Sequence, residues 1–183
     1  MITIEKYNPQ WISKFEHEKK IILAKIDTIT LTIEHIGSTS IPNIGAKPII
    51  DIMIGIKKLK YSDQIIKLLE TINYIYVPEH EEIMPYRRFF YKKDNNNIKT
   101  HHIHVVELTH EFWQRHLMFR DYLVLDSESA NEYYVLKKYL SEKYPNEPEK
   151  YTNAKSEFIE KILAKAKNNL HLLKSLDKSK NIG

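Results

Sequence analysis

A mixed α/β fold is predicted for this chain: an early mixed β-sheet flanked by helices, followed by a helical C-terminal part. Three observations predict it. In the first half, β-branched runs alternate with stretches of helical periodicity. Residues Ile49 to Ile56 are apolar on both faces apart from Asp51, the pattern of a central strand covered on both sides. From Thr109 onward the apolar spacing is helical.

Taken in order, Asn8 as cap and Pro9 in the first turn open a helix carrying Trp11, Phe15, Ile22 and Ile26. Leu31, Ile33 and His35 alternate with Thr32 and Glu34 in a strand that ends at Gly37. After the central strand, Ser62 is expected to cap a helix bearing Ile65, Ile66, Leu69 and Ile72, and Tyr74 to Val77 to form a short strand. Tyr86–Lys92 and Lys99–Glu107 flank the turn-forming cluster Asp94-Asn95-Asn96-Asn97, which predicts an antiparallel hairpin. On its second arm His102 and His104 share one face, with His101 and Ile103 on the other. Phe112, Trp113, His116, Leu117, Arg120 and Leu123 mark the next helix. Ser129 and Glu132 read as a capping box for another, and a last helix after Pro145 and Pro148 carries Phe158, Ile162 and Ala166.

The 183 residues are the size of one domain. It is expected over residues 1–170, with a lysine-rich tail at 171–183. With 42% hydrophobic and 28% charged residues, the composition excludes a disordered, collagenous or membrane-embedded chain. The N-terminal residues form no apolar leader, and the longest apolar stretch, Ile41 to Ile56, is cut by Lys47, Pro48 and Asp51. The absence of cysteine removes thiol catalysis and thiolate metal sites and fits a reducing cytoplasm. The net charge of +4 owes much to the lysines from Lys161 to Lys180, so a solvated tail is favoured over a nucleic-acid face.

Three of the four glycines, Gly37, Gly45 and Gly55, fall in one short stretch. There the sequence runs from a strand through Gly37-Ser38-Thr39 and a polar loop to the strand bearing Asp51. Glycine permits close approach of backbone to ligand, Ser38, Thr39 and nearby amides can donate to phosphate oxygens, and a neighbouring carboxylate can hold a bridging divalent metal. Two readings stand open on these residues: a phosphate-handling site, or an ordinary turn beside a structural carboxylate.

The segments HIGSTSIPNIGAKPIIDIMIGI, HIHVVE, FWQRHLMFRDYL, YYVLKKYL and YTNAKSEFI resemble the GrpB family, from Tyr7 to about Ala166. The resemblance implies the α/β fold of the nucleotidyltransferase-like superfamily, with a Gly-Ser motif at the start of a helix and a following strand that bears metal-binding carboxylates. Related domains joined to dephospho-CoA kinase point to nucleotide or coenzyme A chemistry. Active nucleotidyltransferases normally present two acidic residues one apart on that strand; here Met53 follows Asp51 on its face. Methionine is a poor ligand for Mg²⁺, so a two-metal mechanism needs a replacement, with Glu34, Glu79 and Glu107 as candidates.

Asp51 is thus the candidate catalytic residue and, with His102 and His104, a candidate ligand to a divalent metal, Mg²⁺, Mn²⁺ or Zn²⁺. Gly37, Ser38, Thr39, Lys47, Arg88 and Lys155 are candidate contacts for a nucleotide or phosphorylated ligand. Arg88 is preferred to Arg87, which points the other way along the strand. Arg120 is expected to pair with Asp121 or Glu107 rather than clamp a phosphate. Tyr133, Lys137, Tyr151 and Lys155 lie on terminal helices where the family also carries Tyr and Lys. With 12 tyrosines in the chain, most are packing residues, and Lys155 is the anion contact retained. Two functions compete: metal-dependent nucleotidyl transfer, and a noncatalytic module for a nucleotide or coenzyme A-type ligand.

Overall fold

Five strands make one mixed sheet in the order β1-β2-β5-β4-β3 in a computed structural model that describes residues 1–26, 28–170 and 173. The strands are β1 (Thr30–Ile36), β2 (Ile50–Ile56), β3 (Ile75–Tyr76), β4 (Arg87–Lys93) and β5 (Lys99–Glu107). β2 and β5 run parallel and the other neighbours antiparallel. β2 lies between β1 and β5, and its Ile52, Met53 and Ile54 are fully buried, which accounts for its two-sided apolar character.

One face of the sheet is covered by α1 (Gln10–Ile26) and α2 (Ser62–Glu70). The Asn8 side chain accepts the Gln10 N–H at 2.9 Å, so α1 starts where a cap residue and Pro9 place it. Trp11, Phe15, Ile22, Ile26, Ile65 and Leu69 pack on Ile50, Ile52, Ile54, Ile103 and Val105 in the main core. Buried Glu18 ties α1 to the sheet: its carboxylate accepts from the Tyr74 hydroxyl at 3.0 Å and from Lys92 Nζ at 2.9 Å.

The opposite face carries α3 (Glu111–Leu125), α4 (Ser127–Lys143), α5 (Pro148–Asn153) and α6 (Ser156–Asn168). Trp113 of α3 joins Ile36, Met53 and Val106 in a second core, and α3, α4 and α6 meet around Tyr122, Tyr133 and Ile162 in a third. Buried Arg120 pins α3 to β1. It donates to Glu34 at 2.7 Å, to Asp121 at 2.8 Å and to the His35 carbonyl at 2.8 Å.

The 94–97 turn forms as expected, with Asp94 Oδ1 accepting the Asn96 and Ile98 N–H groups and Asn97 at φ 64°. Two caps differ from the sequence reading. Ser62 lies inside α2, where its hydroxyl accepts from Arg88 Nε at 3.2 Å instead of capping the helix. Asp126, not Ser129, caps α4: the carboxylate accepts the Ser129 N–H at 3.0 Å, and the helix begins at Ser127. The segment after Pro145 is two helices, α5 and α6, rather than one. The expected tail at 171–183 lies outside the described residues, apart from Leu173.

His35 is buried on the α1 face, stacked on Phe15 with ring centroids 4.6 Å apart. Its Nε2 lies 3.0 Å from Thr39 Oγ1, and since that hydroxyl donates to the Ile49 carbonyl at 3.2 Å, the imidazole is the donor in the first contact. Burial, with Arg120 adding to it and Asp51 opposing, lowers the His35 pKa to about 4. An unfolded His35 therefore takes up a proton at a pH where the folded one does not. The fold should lose stability as pH falls from 6.5 toward 4, with His35 contributing roughly 3 kcal/mol to the loss. Urea midpoints at pH 7 and pH 4.5 should differ clearly less in His35→Gln than in the unmodified chain.

Candidate functional site

A cavity of about 260 Å³ opens between the start of β2 and β5 and the helices α4 and α5. The 36–51 connection builds its rim. β1 ends at Ile36, and Gly37 (φ 70°, ψ −173°) turns the chain into a single 3-10 turn, Ser38–Ser40. A Cβ at Gly37 would stand 2.4 Å from Asp51 Oδ2, so glycine here serves two purposes. It supplies a backbone conformation nearly closed to other residues, and it lets the turn lie directly against the carboxylate.

Asp51 sits beside His102 in the β2–β5 register, and its Oδ1 lies 3.0 Å from His102 Nδ1. A carboxylate only accepts, so Nδ1 carries a proton, and in the neutral ring the second nitrogen, Nε2, is the one with the free lone pair. Ser38, Asp51 and His102 all line the cavity, and the Ser38 hydroxyl also meets the buried Tyr133 phenol, whose pKa burial raises to about 12.

Lys47, Lys137, Lys155 and Tyr151 also line the cavity. Lys137, only 2% exposed, donates to the Gly45 carbonyl at 2.7 Å and lies over the Tyr133 ring. Burial, reinforced by the nearby Lys155 charge, lowers its pKa to about 7. Lys155 rests on the Tyr151 ring, and burial lowers its pKa to about 8 although Asp51 acts in the opposite sense. Three amines thus face one carboxylate. Burial disfavours the charged form of two of them, Lys137 more than Lys155.

Of the residues singled out by sequence, Ser38, Lys47, Asp51, His102 and Lys155 come together in this cavity, with Gly37 backing Asp51. Three do not join them. Thr39 is buried with its hydroxyl engaged by His35 and the Ile49 carbonyl, because the 3-10 turn directs it beneath the sheet edge. Arg88 points to the opposite face and pairs with Glu81 at 2.8 Å and Ser62, since side chains alternate along β4. It is Arg87 that shares the cavity's side of the sheet.

His104 does follow His102 on that same face, but it is turned to Arg87 Nη1 at 3.2 Å and packed against Phe112. Burial and the Arg87 charge hold its pKa well below the ordinary value. Arg87 also donates to His80 Nδ1 at 2.9 Å.

These residues do not fit a two-metal centre. Among the described residues no three His, Asp or Glu side chains are grouped to hold a metal ion, and Met53 stands beside His104 where a second carboxylate is needed. None of the proposed replacements supplies it. Glu34 is bound by Arg120, Glu107 by Lys58 and the Leu59 N–H, and Glu79 is exposed on the turn after β3.

Sequence reasoning passed over Lys137 and Tyr151 as members of the site. The signal for Lys137 was available: it interrupts the buried stripe Ala130, Tyr133 and Leu140 of α4 at helical spacing, where an apolar residue is the ordinary choice.

Comparison with known proteins agrees with this architecture. The family described as GrpB protein matches residues 1–165. The chain is 37% identical over 166 residues to UPF0157 protein YqkA of Bacillus subtilis, covering 91% of this chain but 47% of that protein, so it spans about half the length of that relative. It is 36% identical over 164 residues to the glutamate-rich protein GrpB of Alkalihalophilus pseudofirmus, covering 88% of this chain and 94% of that one. The crystal structure of conserved protein GrpB from Enterococcus faecalis superposes with a TM-score of 0.81 at 34% identity, over 95% of this chain and 99% of that one. No helix among the described residues is long and apolar enough to cross a membrane.

The contact between Gly37 and Asp51 is directly testable. Gly37→Ala introduces a strained φ and pushes on the carboxylate, and should lower stability by about 1–3 kcal/mol in urea denaturation. A change within about 0.5 kcal/mol would mean that the turn relaxes freely.

Proposed function

The chain belongs to the GrpB family, and on that footing we propose that its lysine-lined cavity binds a small phosphorylated ligand, a nucleotide or another phosphorylated metabolite. One observation carries the reading: Lys47, Lys137 and Lys155 converge on a cavity with a single carboxylate, and burial depresses the pKa values of two of the three. A phosphate group reverses that penalty, because its negative charge favours the ammonium forms and its oxygens accept their protons. Ser38 adds a hydroxyl at the rim, and Tyr151 offers an apolar wall for the part of the ligand that carries the phosphate.

The reading does not need the second carboxylate that Met53 replaces, and it assigns the neutralising role of metal ions to lysines. It therefore favours ligand binding over two-metal nucleotidyl transfer. The resemblance to nucleotidyltransferase-like proteins supports a nucleotide as one member of the ligand class, and coenzyme A as another.

Calorimetric titration with inorganic pyrophosphate, adenosine nucleotides and coenzyme A, in the presence of EDTA, tests this. At least one should bind saturably, and Lys137→Met and Lys155→Ala should each weaken it about tenfold or more, since a charge-assisted hydrogen bond is worth about 1.5–3 kcal/mol. Affinity should fall as pH rises from 7 to 9, because the amines whose free-state pKa values lie at about 7 and about 8 deprotonate across that range. Affinity that is unchanged in both variants, or that appears only with a divalent cation, would contradict the reading.

A further inference from the structure

We propose that His102 is the general base of the cavity and Asp51 its positioning residue, so that the site acts on its bound phosphate without a metal ion. The inference rests on the phosphorylated-ligand reading and adds a reaction class to it. Among the imidazoles on this side of the sheet, His104 has its Nδ1 occupied by Arg87, and His116 donates its Nδ1 proton to the Phe112 carbonyl at 2.7 Å. His102 alone of these three meets a carboxylate and lines the cavity.

The geometry follows from adjacent strands in register. Asp51 and His102 are direct neighbours on β2 and β5, so the hydrogen bond to Asp51 Oδ1 fixes both the tautomer and the ring orientation. The His102 side chain is 22% exposed and that of Asp51 29%, and both line the cavity. The lysines sit where a phosphate would have its charge neutralised, while the base takes the proton of an attacking hydroxyl.

The step balances with a water or alcohol as co-reactant. Its proton passes to His102 Nε2 while its oxygen bonds to phosphorus. The bond from phosphorus to the departing oxygen breaks, that oxygen keeps the electron pair and takes a proton from solvent, and the imidazolium, held by Asp51, returns its own proton to solvent.

Reactivity of His102 tests this without knowledge of the natural substrate. The folded chain is treated with diethyl pyrocarbonate at pH 7 in EDTA, and carbethoxylation of each histidine is followed by peptide mass spectrometry, with exposed His17 as internal reference. His102 should react faster than His104 and His116. Asp51→Asn should slow His102 at least fivefold relative to His17, and Asp51→Glu should recover part of the rate. Thermal melting of both variants identifies any loss of fold, and if Asp51→Asn is unfolded, the Asp51→Glu comparison decides.

Inorganic pyrophosphate should protect His102 in the unmodified chain and fail to do so in Lys155→Ala. A slow His102 in the unmodified chain, or one indifferent to both Asp51 substitutions, overturns the base. Fast, Asp51-dependent reaction with no protection by pyrophosphate overturns the phosphate ligand instead.

Discussion

The Asp51 carboxylate is gripped on two sides, by the bare backbone of Gly37 and by the His102 imidazole, and the rest of the site is arranged around that grip. Neither side tolerates much change. A side chain at residue 37 collides with one carboxylate oxygen, and a one-residue slip between β2 and β5 would turn His102 to the other face. The sheet register is therefore a requirement of the Asp51–His102 contact as well as of the core.

The sheet divides two kinds of work. On the α1 and α2 side, Ile50, Ile52, Ile54, Ile103 and Val105 are sealed into a continuous apolar core, and burial lowers the pKa of both His35 and His101 there. On the other side the same strands present a polar row, Asp51 beside His102, and one step along it Met53 beside His104. Cations reach that row from three separate places: Lys47 from the loop before β2, Lys137 from α4, and Lys155 from just before α6. A buried lysine costs stability unless an anion compensates it, and it is this local violation of folding rules that motivates the proposal of a ligand here.

Much of this was legible in the sequence, for identifiable reasons. Period-two alternation put His102 and His104 on one face, and the lone charge in an otherwise apolar strand marked Asp51. Local pattern could not reveal which of two same-face histidines meets the carboxylate, because that depends on the parallel β2–β5 register, a pairing between segments about fifty residues apart. Arg87 and Arg88 were exchanged for the same reason: alternation says they diverge, and only the sheet's two coverings say which shares the cavity's side. Thr39 was misjudged because its hydroxyl is consumed by His35 and the Ile49 carbonyl, contacts that exist only once the turn is closed. The cap of α4 was assigned to Ser129 instead of its near-equivalent neighbour Asp126, where three-dimensional context decides between good cap residues, while α2 follows directly on a 3-10 turn and has no side-chain cap at all.

The central claim is that lysines, rather than metal ions, receive a phosphate beside the Asp51–His102 pair. The most direct measurement is a crystal structure of the chain grown with inorganic pyrophosphate and EDTA. The account requires pyrophosphate oxygens within hydrogen-bond distance of Lys137 and Lys155 Nζ, with the Asp51–His102 contact kept. Pyrophosphate absent from the cavity, or present there only in a parallel crystal where a divalent cation sits on Asp51, would contradict it.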